Sequence, residues 1–344
     1  MVTADGTVVR ALAYPALVGS PRVGDRVLLN TTALDFGLGT GGYAFVVAIP
    51  DRLPPDVPEP GHIVKSRYTP LQAMVASVDE QDSPHHEVLR DASSVDGMPV
   101  VVADLHSALP AILCGLFSSF RTGQPGSGPS ARLPRVAYVM QDGGALPAWF
   151  SRTAAGLREA GWLAGTITTG QSFGGDLEAV TVHTGLLAAR HVLGADAAVI
   201  AQGPGNLGTG TRWGFSGVAV GEAVNAIAVL NGRPVASLRL SDADPRSRHQ
   251  GVSHHSLTAY GQVALATADV VVPDLPAPLG ARIAAEAAPL AARHSLVTVP
   301  VDGLEEALRA CPVPLSTMGR GLDADLAYFL AAAAAGRHAA TLLN

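Results

Sequence analysis

Six glycines crowd into seventeen positions at AQGPGNLGTGTRWGFSG, residues 201–217, directly behind the short apolar run DAAVIA at 196–201. An apolar run of that length predicts a strand buried on both faces, as in a parallel sheet. VAVGEAVNAIAVLNG (218–232) follows with helical spacing and closes on Gly232. Strand, glycine-rich loop and helix, in that order, is how α/β proteins bring backbone N–H groups to a ligand. The stretch therefore predicts both a fold class and a binding loop.

The rest of the chain has the same grammar. From about residue 62, apolar runs predict strands at 71–78, 99–104, 135–140, 163–168, 197–201, 234–240, 269–272 and 295–299. Helical patterns fall at 84–91, 107–118, 147–160, 177–193, 217–230, 256–267, 278–292 and 323–336. This alternation predicts a mostly parallel, Rossmann-like sheet with helices on both faces across 62–344. Ahead of it, TVVRALAY, DRVLLNTT and YAFVVAI predict a small all-β barrel or sandwich over 1–49. PDRLPPDVPEPG (50–61), with five prolines, is a stiff connector between the two, and RTGQPGSGPSARLP (121–134) is a surface linker.

Composition narrows the partners. Net charge is −6 and only 15% of the 344 residues are charged, against 48% apolar, so disorder is excluded and nothing favours nucleic acid or anionic lipid. Cys114 and Cys311 are too few for a disulfide scaffold, which points to a reducing cytoplasm. The opening MVTADGTVVR lacks the pattern of a signal peptide. LAYFLAAAAA (326–335) is too short to span a bilayer and is expected to be a packed terminal helix. Self-association into a homo-oligomer is left open.

Five strand ends carry the polar residues that an α/β sheet places around a ligand. They are Asp104 and His106; Asp142, Gly143 and Gly144 after Gln141; TGQSFGGD with Gly175 and Asp176; the glycine loop; and Ser241, Asp242 and Asp244. The loop formally contains G-x-G-x-x-G at Gly203, Gly205 and Gly208, but Pro204, Gly210 and Gly214 delay the helix to about Ser216. The next strand-end acid, Asp242, lies well beyond the spacing of a dinucleotide site, and there is no P-loop sequence. A backbone nest for an oxyanion suits the loop better, with Asn206, Thr209, Thr211 and Arg212 adding donors around Gly208 and Gly210. Lys65, the only lysine, stands in KSRYTP with Arg67 and Tyr68 and either reaches this edge or braces the two domains.

Histidines are the second signal. SPHHEVL and VSHHSLT each place a pair at the start of a predicted helix, where the neutral imidazole is favoured as a base or metal ligand. Asp104, His106, Asp142, His254 and His255 together suit a divalent-metal site or an acid–base relay. Adjacent histidines cannot share one helix face, so only one of each pair is expected at the centre. Neither H-E-x-x-H nor C-x-x-C is present to support zinc, and neither the metal nor any cofactor is fixed by the sequence. SDADPRSRHQGVSHH (241–255) reads either as a polar lid over an anionic group or as a solvated loop. NTTALDFGLGTGGY (30–43) reads as a flexible hairpin with a lesser prospect of ligand contact.

LLNTTALDFGLGTGGYAFVV, SPHHEVL, VVVADLHSALPA, SFGGDLEAV, GPGNLGTGTRWGFSG, GVSHHSLTA and LSTMGRGLDADLAYFLAAAAAG together resemble a bacterial family catalogued as domain of unknown function 3866. The resemblance spans nearly the whole chain and implies a cytoplasmic bacterial protein. It transfers no activity and no catalytic residue.

Two function classes remain. One is an enzyme acting on a small polar or anionic metabolite by hydrolysis or group transfer, with His254, His255, Asp104 and His106 handling protons. A serine nucleophile elbow of the α/β-hydrolase kind is not expected. The other is a ligand sensor or regulatory subunit without catalysis, which would show a loop pocket but no acid–base pair beside it.

Overall fold

The continuous apolar runs become the inner strands of one eight-stranded, wholly parallel sheet in the computed structural model, which describes residues 1–39, 41–55, 61–121 and 132–343. The chain divides into two compact units, Met1–Val75 and Ala76–Asn344. In the first, β1 (Ala11–Leu12), β2 (Leu28–Asn30) and β3 (Ala44–Ala48) form a sheet in the order β1-β3-β2, with β1 parallel and β2 antiparallel to β3. The short helices α1 (Pro15–Val18) and α2 (Thr32–Asp35) accompany it. β4 (Ile63–Lys65) and β5 (Ala73–Val75) pair as an antiparallel ribbon. Residues 56–60 of the proline-rich connector and 122–131 of the surface linker lie outside the described residues.

In the second unit α3 (His86–Leu89) precedes β6 (Pro99–Val102), α4 (Ala108–Arg121), β7 (Val136–Gln141), α5 (Arg152–Glu159), β8 (Gly165–Thr168), β9 (Leu177–Glu178) and α6 (Val182–His191). Then follow β10 (Ala197–Gln202), α7 (Ala219–Val229), β11 (Arg233–Ser237), the hairpin β12 (Leu240–Ser241) with β13 (Gly251–Val252), and α8 (His254–Thr258). β14 (Asp269–Asp274), α9 (Leu279–Ala287), β15 (Ser295–Pro300), α10 (Leu304–Arg309) and α11 (Leu326–Thr341) complete the framework. The strand order is β15-β14-β11-β6-β10-β7-β8-β9. From β7 the chain winds outward through β8 and β9, returns to β10 beside β7, then crosses β6 to β11 and winds out the other way. The direction of winding reverses between β7 and β10, whose carboxyl ends are aligned with Gln141 in register with Gln202, the place where open α/β sheets bind ligands.

Two strands differ from expectation. The stretch at 71–78 gives β5 of the ribbon and not the first strand of the large sheet. Ala73 is buried and Met74 exposed, an alternation suited to an antiparallel ribbon and not to a strand covered on both faces. Residues 177–178, expected in a helix, form edge strand β9 because Thr181 caps α6, its Oγ1 accepting the Thr184 amide at 3.2 Å.

Every residue of β6, β7 and β10 is buried. α11 holds the alanine run against α4 at backbone contact. A Cβ on Gly336 would lie 1.8 Å from the Ile112 carbonyl oxygen, and one on Gly115 would lie 1.8 Å from that of Ala333. No helix among the described residues is long and apolar enough to cross a membrane. Cys114 on α4 and Cys311 behind α10 form no disulfide, and the hydrogen bond between them lowers the Cys311 pKa against the effect of burial.

Candidate functional site

Because the large sheet is parallel throughout, the loops after β11, β6, β10, β7 and β8, five adjacent strands, open on one edge. Asp104 stands two residues past β6 and is 5% exposed. Its Oδ2 accepts from Arg239 Nη1 at 3.4 Å and lies 3.2 Å from His255 Nδ1. Arg239 comes from the turn between β11 and β12, and its amide donates to Ser256 Oγ at 2.9 Å. Asn206 of the glycine loop donates from Nδ2 to the Asp104 carbonyl at 2.9 Å. At the end of the same loop, Phe215 lies flat on the His255 ring, with centroids 3.8 Å apart and planes 4° from parallel. Gly217 permits this closeness, since a Cβ there would sit 3.1 Å from Asp104 Cβ.

His255 belongs to α8, whose start is fixed by Ser253 Oγ accepting the His255 amide at 3.2 Å. The same hydroxyl lies 2.7 Å from His249 Nδ1. His249 is 2% exposed, and its ring centroid is 5.2 Å from that of His254 and 4.9 Å from that of His255. The adjacent pair also meets edge to face at 4.5 Å. Both rings of the adjacent pair therefore reach one cluster, where only one was expected at the centre. The rule holds inside a helix, but at the first two helical positions the preceding turn folds His249 back beside both rings. One nitrogen from each of the three histidines lies within 4.8 Å of the others. His254 Nε2 is buried with no hydrogen-bond partner. Burial, reinforced by neighbouring positive groups, lowers His254 to about 4 and His249 to about 3, so both are neutral at pH 7. The helix start, which the sequence suggested as the cause, is not the main one.

Burial alone would raise Asp104, but the Arg239 guanidinium and the His255 ring outweigh it and hold the carboxyl below its ordinary value. His255 Nδ1 is 3.1 Å from Arg239 Nη1 as well as close to Asp104. It can donate to the carboxylate or accept from the guanidinium, not both. Donation to the charged carboxylate is the stronger bond and leaves Nε2 with its lone pair available. The residues brought together can therefore move a proton or hold a metal ion.

His106 is placed elsewhere. Its Nδ1 lies 3.0 Å from the Tyr138 hydroxyl and its Nε2 2.7 Å from Ser151 Oγ, the N-cap of α5. Burial lowers it to about 4. With both nitrogens engaged, it braces the fold. Asp142 Oδ1 accepts the amides of Gly144 and Ala145, and its Oδ2 accepts that of Gln171, tying the loop after β7 to the loop after β8. Asp176 accepts from the amide and hydroxyl of Thr166, both at 2.8 Å, and pairs with Arg158. Gly143, Gly175 and Gly203 allow close packing, since a Cβ on each would strike Gln202, Thr168 or Met140 respectively. Asp242 is exposed, and Lys65 is buried on β4 in the first unit.

The glycine loop folds on itself as a narrow hairpin. Gly208 bridges Phe215, the Thr209 amide donates to the Gly214 carbonyl at 2.7 Å, and the Thr209 and Thr211 hydroxyls lie 3.0 Å apart. Gly205 (φ +120°) and Gly210 (φ +81°) supply the left-handed positions. A Cβ on Gly210 would sit 3.9 Å from the Arg248 guanidinium, which makes no ion pair or hydrogen bond among the described residues. The segment 241–255 is fastened at its base. Ser241 donates to Asp325, while the buried Asp244 pairs with Arg246 and Arg320. GQSFG (170–174) does spell G-x-S-x-G, but it leads into β9 and not a helix, and Ser172 is buried with its Oγ 3.4 Å from Asp142. A cavity of about 410 Å³ near Asp96, Arg132, Arg190 and Asp196 opens at the amino ends of the strands, where these charges pair with one another.

The description "Protein of unknown function (DUF3866)" matches residues 10–336. The chain belongs to the DUF3866 family. Comparison with curated proteins and with solved structures finds no significant match. Within this DUF3866 chain, Arg239 and Phe215 were missed in the sequence and His249 was seen only as part of a lid. An arginine inside the apolar run VASLRL was the one available signal, because a charge in a buried strand requires a partner.

Proposed function

We propose that this protein is an enzyme for a small anionic metabolite, performing hydrolysis or group transfer at the carboxyl edge of the sheet with histidine acid–base help. The observation that carries this reading is the buried row Arg239–Asp104–His255. In such a row the carboxylate holds the tautomer with Nδ1–H and stabilises the imidazolium formed when Nε2 accepts a proton from water or a hydroxyl. Arg239 keeps Asp104 ionised while His255 cycles through its charged form. Arg248 supports an anionic substrate, as an unpaired guanidinium beside a glycine loop suits a phosphate or carboxylate. Two cysteines in 344 residues, too few for a disulfide scaffold, fit action in the reducing cytoplasm.

The test is a thermal-shift screen of the full chain against phosphate monoesters, carboxylates and nucleotides, followed by turnover assays with p-nitrophenyl phosphate and esters. An anionic ligand is expected to raise the melting temperature. Arg248→Met should abolish the shift and His255→Asn should keep it, while His255→Asn lowers turnover by about 100-fold or more. Saturable binding with no turnover in any class would favour a sensor without catalysis.

A further inference from the structure

We propose that His249, His254 and His255 form a binding site for a divalent transition-metal ion, held through Nε2 of each ring with Asp104 behind His255. One nitrogen of each ring lies within 4.8 Å of the other two, and tetrahedral zinc–imidazole bonding needs about 3.3 Å between ligand atoms. Binding an ion requires the three rings to rotate inward by the difference. His254 Nε2 carries an independent signal, being buried without a hydrogen-bond partner. A buried polar atom left so is costly unless something not made by the chain satisfies it. Two of the remaining nitrogens are held as ligand rings usually are. His249 Nδ1 can donate to Ser253 Oγ and His255 Nδ1 to the Asp104 carboxylate, each leaving Nε2 to the ion.

A ligand set of three imidazoles, with no carboxylate joining it among the described residues, favours zinc, cobalt or nickel over magnesium or calcium. Three protein ligands leave a coordination position open, as at catalytic metal sites. Arg239 and Arg248 add positive charge nearby, which opposes a bare cation but favours one carrying an anionic fourth ligand. That ligand is hydroxide or the anionic group of a substrate, the latter paired with Arg248. The site deepens the function proposed above, since with metal bound the activation of water passes from the His255 imidazole to the ion.

The experiment uses the full chain, stripped with a chelator and titrated with zinc by calorimetry and with cobalt by visible absorption. The expected result is one ion per chain and an intense four-coordinate cobalt spectrum. His249→Asn and His254→Ala should each weaken binding about 100-fold, and Asp104→Asn about 10-fold. His85→Ala/His86→Ala, away from the cluster, should leave binding unchanged. The wild-type cobalt spectrum keeps the test decisive if a variant fails to fold. Absence of stoichiometric zinc or cobalt binding, or binding indifferent to His249→Asn and His254→Ala, overturns the site. His255-dependent turnover in metal-free protein would remove the metal from catalysis while leaving the acid–base reading intact. Stoichiometric metal without turnover of any anionic substrate would do the reverse.

Discussion

The Phe215 ring covers one face of the His255 ring at 3.8 Å and nearly parallel. The glycine hairpin thus ends on the histidine that Asp104 orients, and loop position is coupled to ring position. A stacked aromatic face at that distance shields the protons of the covered imidazole. Phe215→Leu should move the His255 carbon-bound proton resonances downfield in a histidine-selective NMR spectrum, while the His191 resonances stay in place. Unchanged His255 shifts would show that the stack does not persist in solution.

Arg239 and Asp104 are a buried ion pair, with side chains 6% and 7% exposed. Removing one partner strands a charge. Arg239→Met and Asp104→Leu should each lower unfolding stability by about 3–5 kcal/mol. The double variant should cost clearly less than the sum, a coupling of at least about 1 kcal/mol. Urea denaturation of the four proteins measures it, and additive costs would deny the pairing.

His106 gives a pH dependence with a defined sign. Its folded pKa is lowered from 6.5 to about 4. Between those values the unfolded chain binds a proton that the folded chain refuses. The contribution is therefore complete above about pH 6.5 and is lost as pH falls toward 4. His106→Asn should make the acid limb of the stability curve shallower by up to about 1.4 kcal/mol per pH unit. At pH 7 it should cost about 0.5–1.5 kcal/mol for each bond lost, because the Tyr138 hydroxyl keeps the Gln202 carbonyl and Ser151 Oγ keeps the Ala154 amide. An unchanged acid limb would place the titration elsewhere.

Gly336→Ala places a methyl carbon 1.8 Å from the Ile112 carbonyl oxygen, a backbone atom that cannot turn aside. The expected loss is about 1–3 kcal/mol or more, read as a lower melting temperature, although alanine is the better helix former. A neutral or stabilising result would mean that α4 and α11 can separate.

Much of this was legible in the chain. The VVVA before Asp104, the VAYVM before Gln141 and the AAVIA before Gln202 read as buried parallel strands because no polar residue interrupts them. Asp104 and the His254–His255 pair stood out as polar residues at a strand end and a helix start. Their grouping with Arg239 and His249 was not legible. It depends on the crossing from β10 over β6 to β11 and on the β12–β13 hairpin, and neither leaves a periodic trace. His106 misled for a local reason. Two residues from Asp104 would share a face in extended chain, but the backbone turns into α4 there and sends the ring toward Tyr138 and Ser151.

The contact of α11 with α4 bears on how the histidine cluster can move. Asp104 leads directly into a helix clamped main chain to main chain, with no side-chain layer to yield. His254 and His255 stand on α8, which runs on as a π-helix through Val263, and there the Tyr260 hydroxyl donates to the carbonyls of Val102 at the end of β6 and Ser237 at the end of β11. Acid and imidazoles are thus both moored to β6, so the spacing between them is a property of the sheet and not of any surface loop.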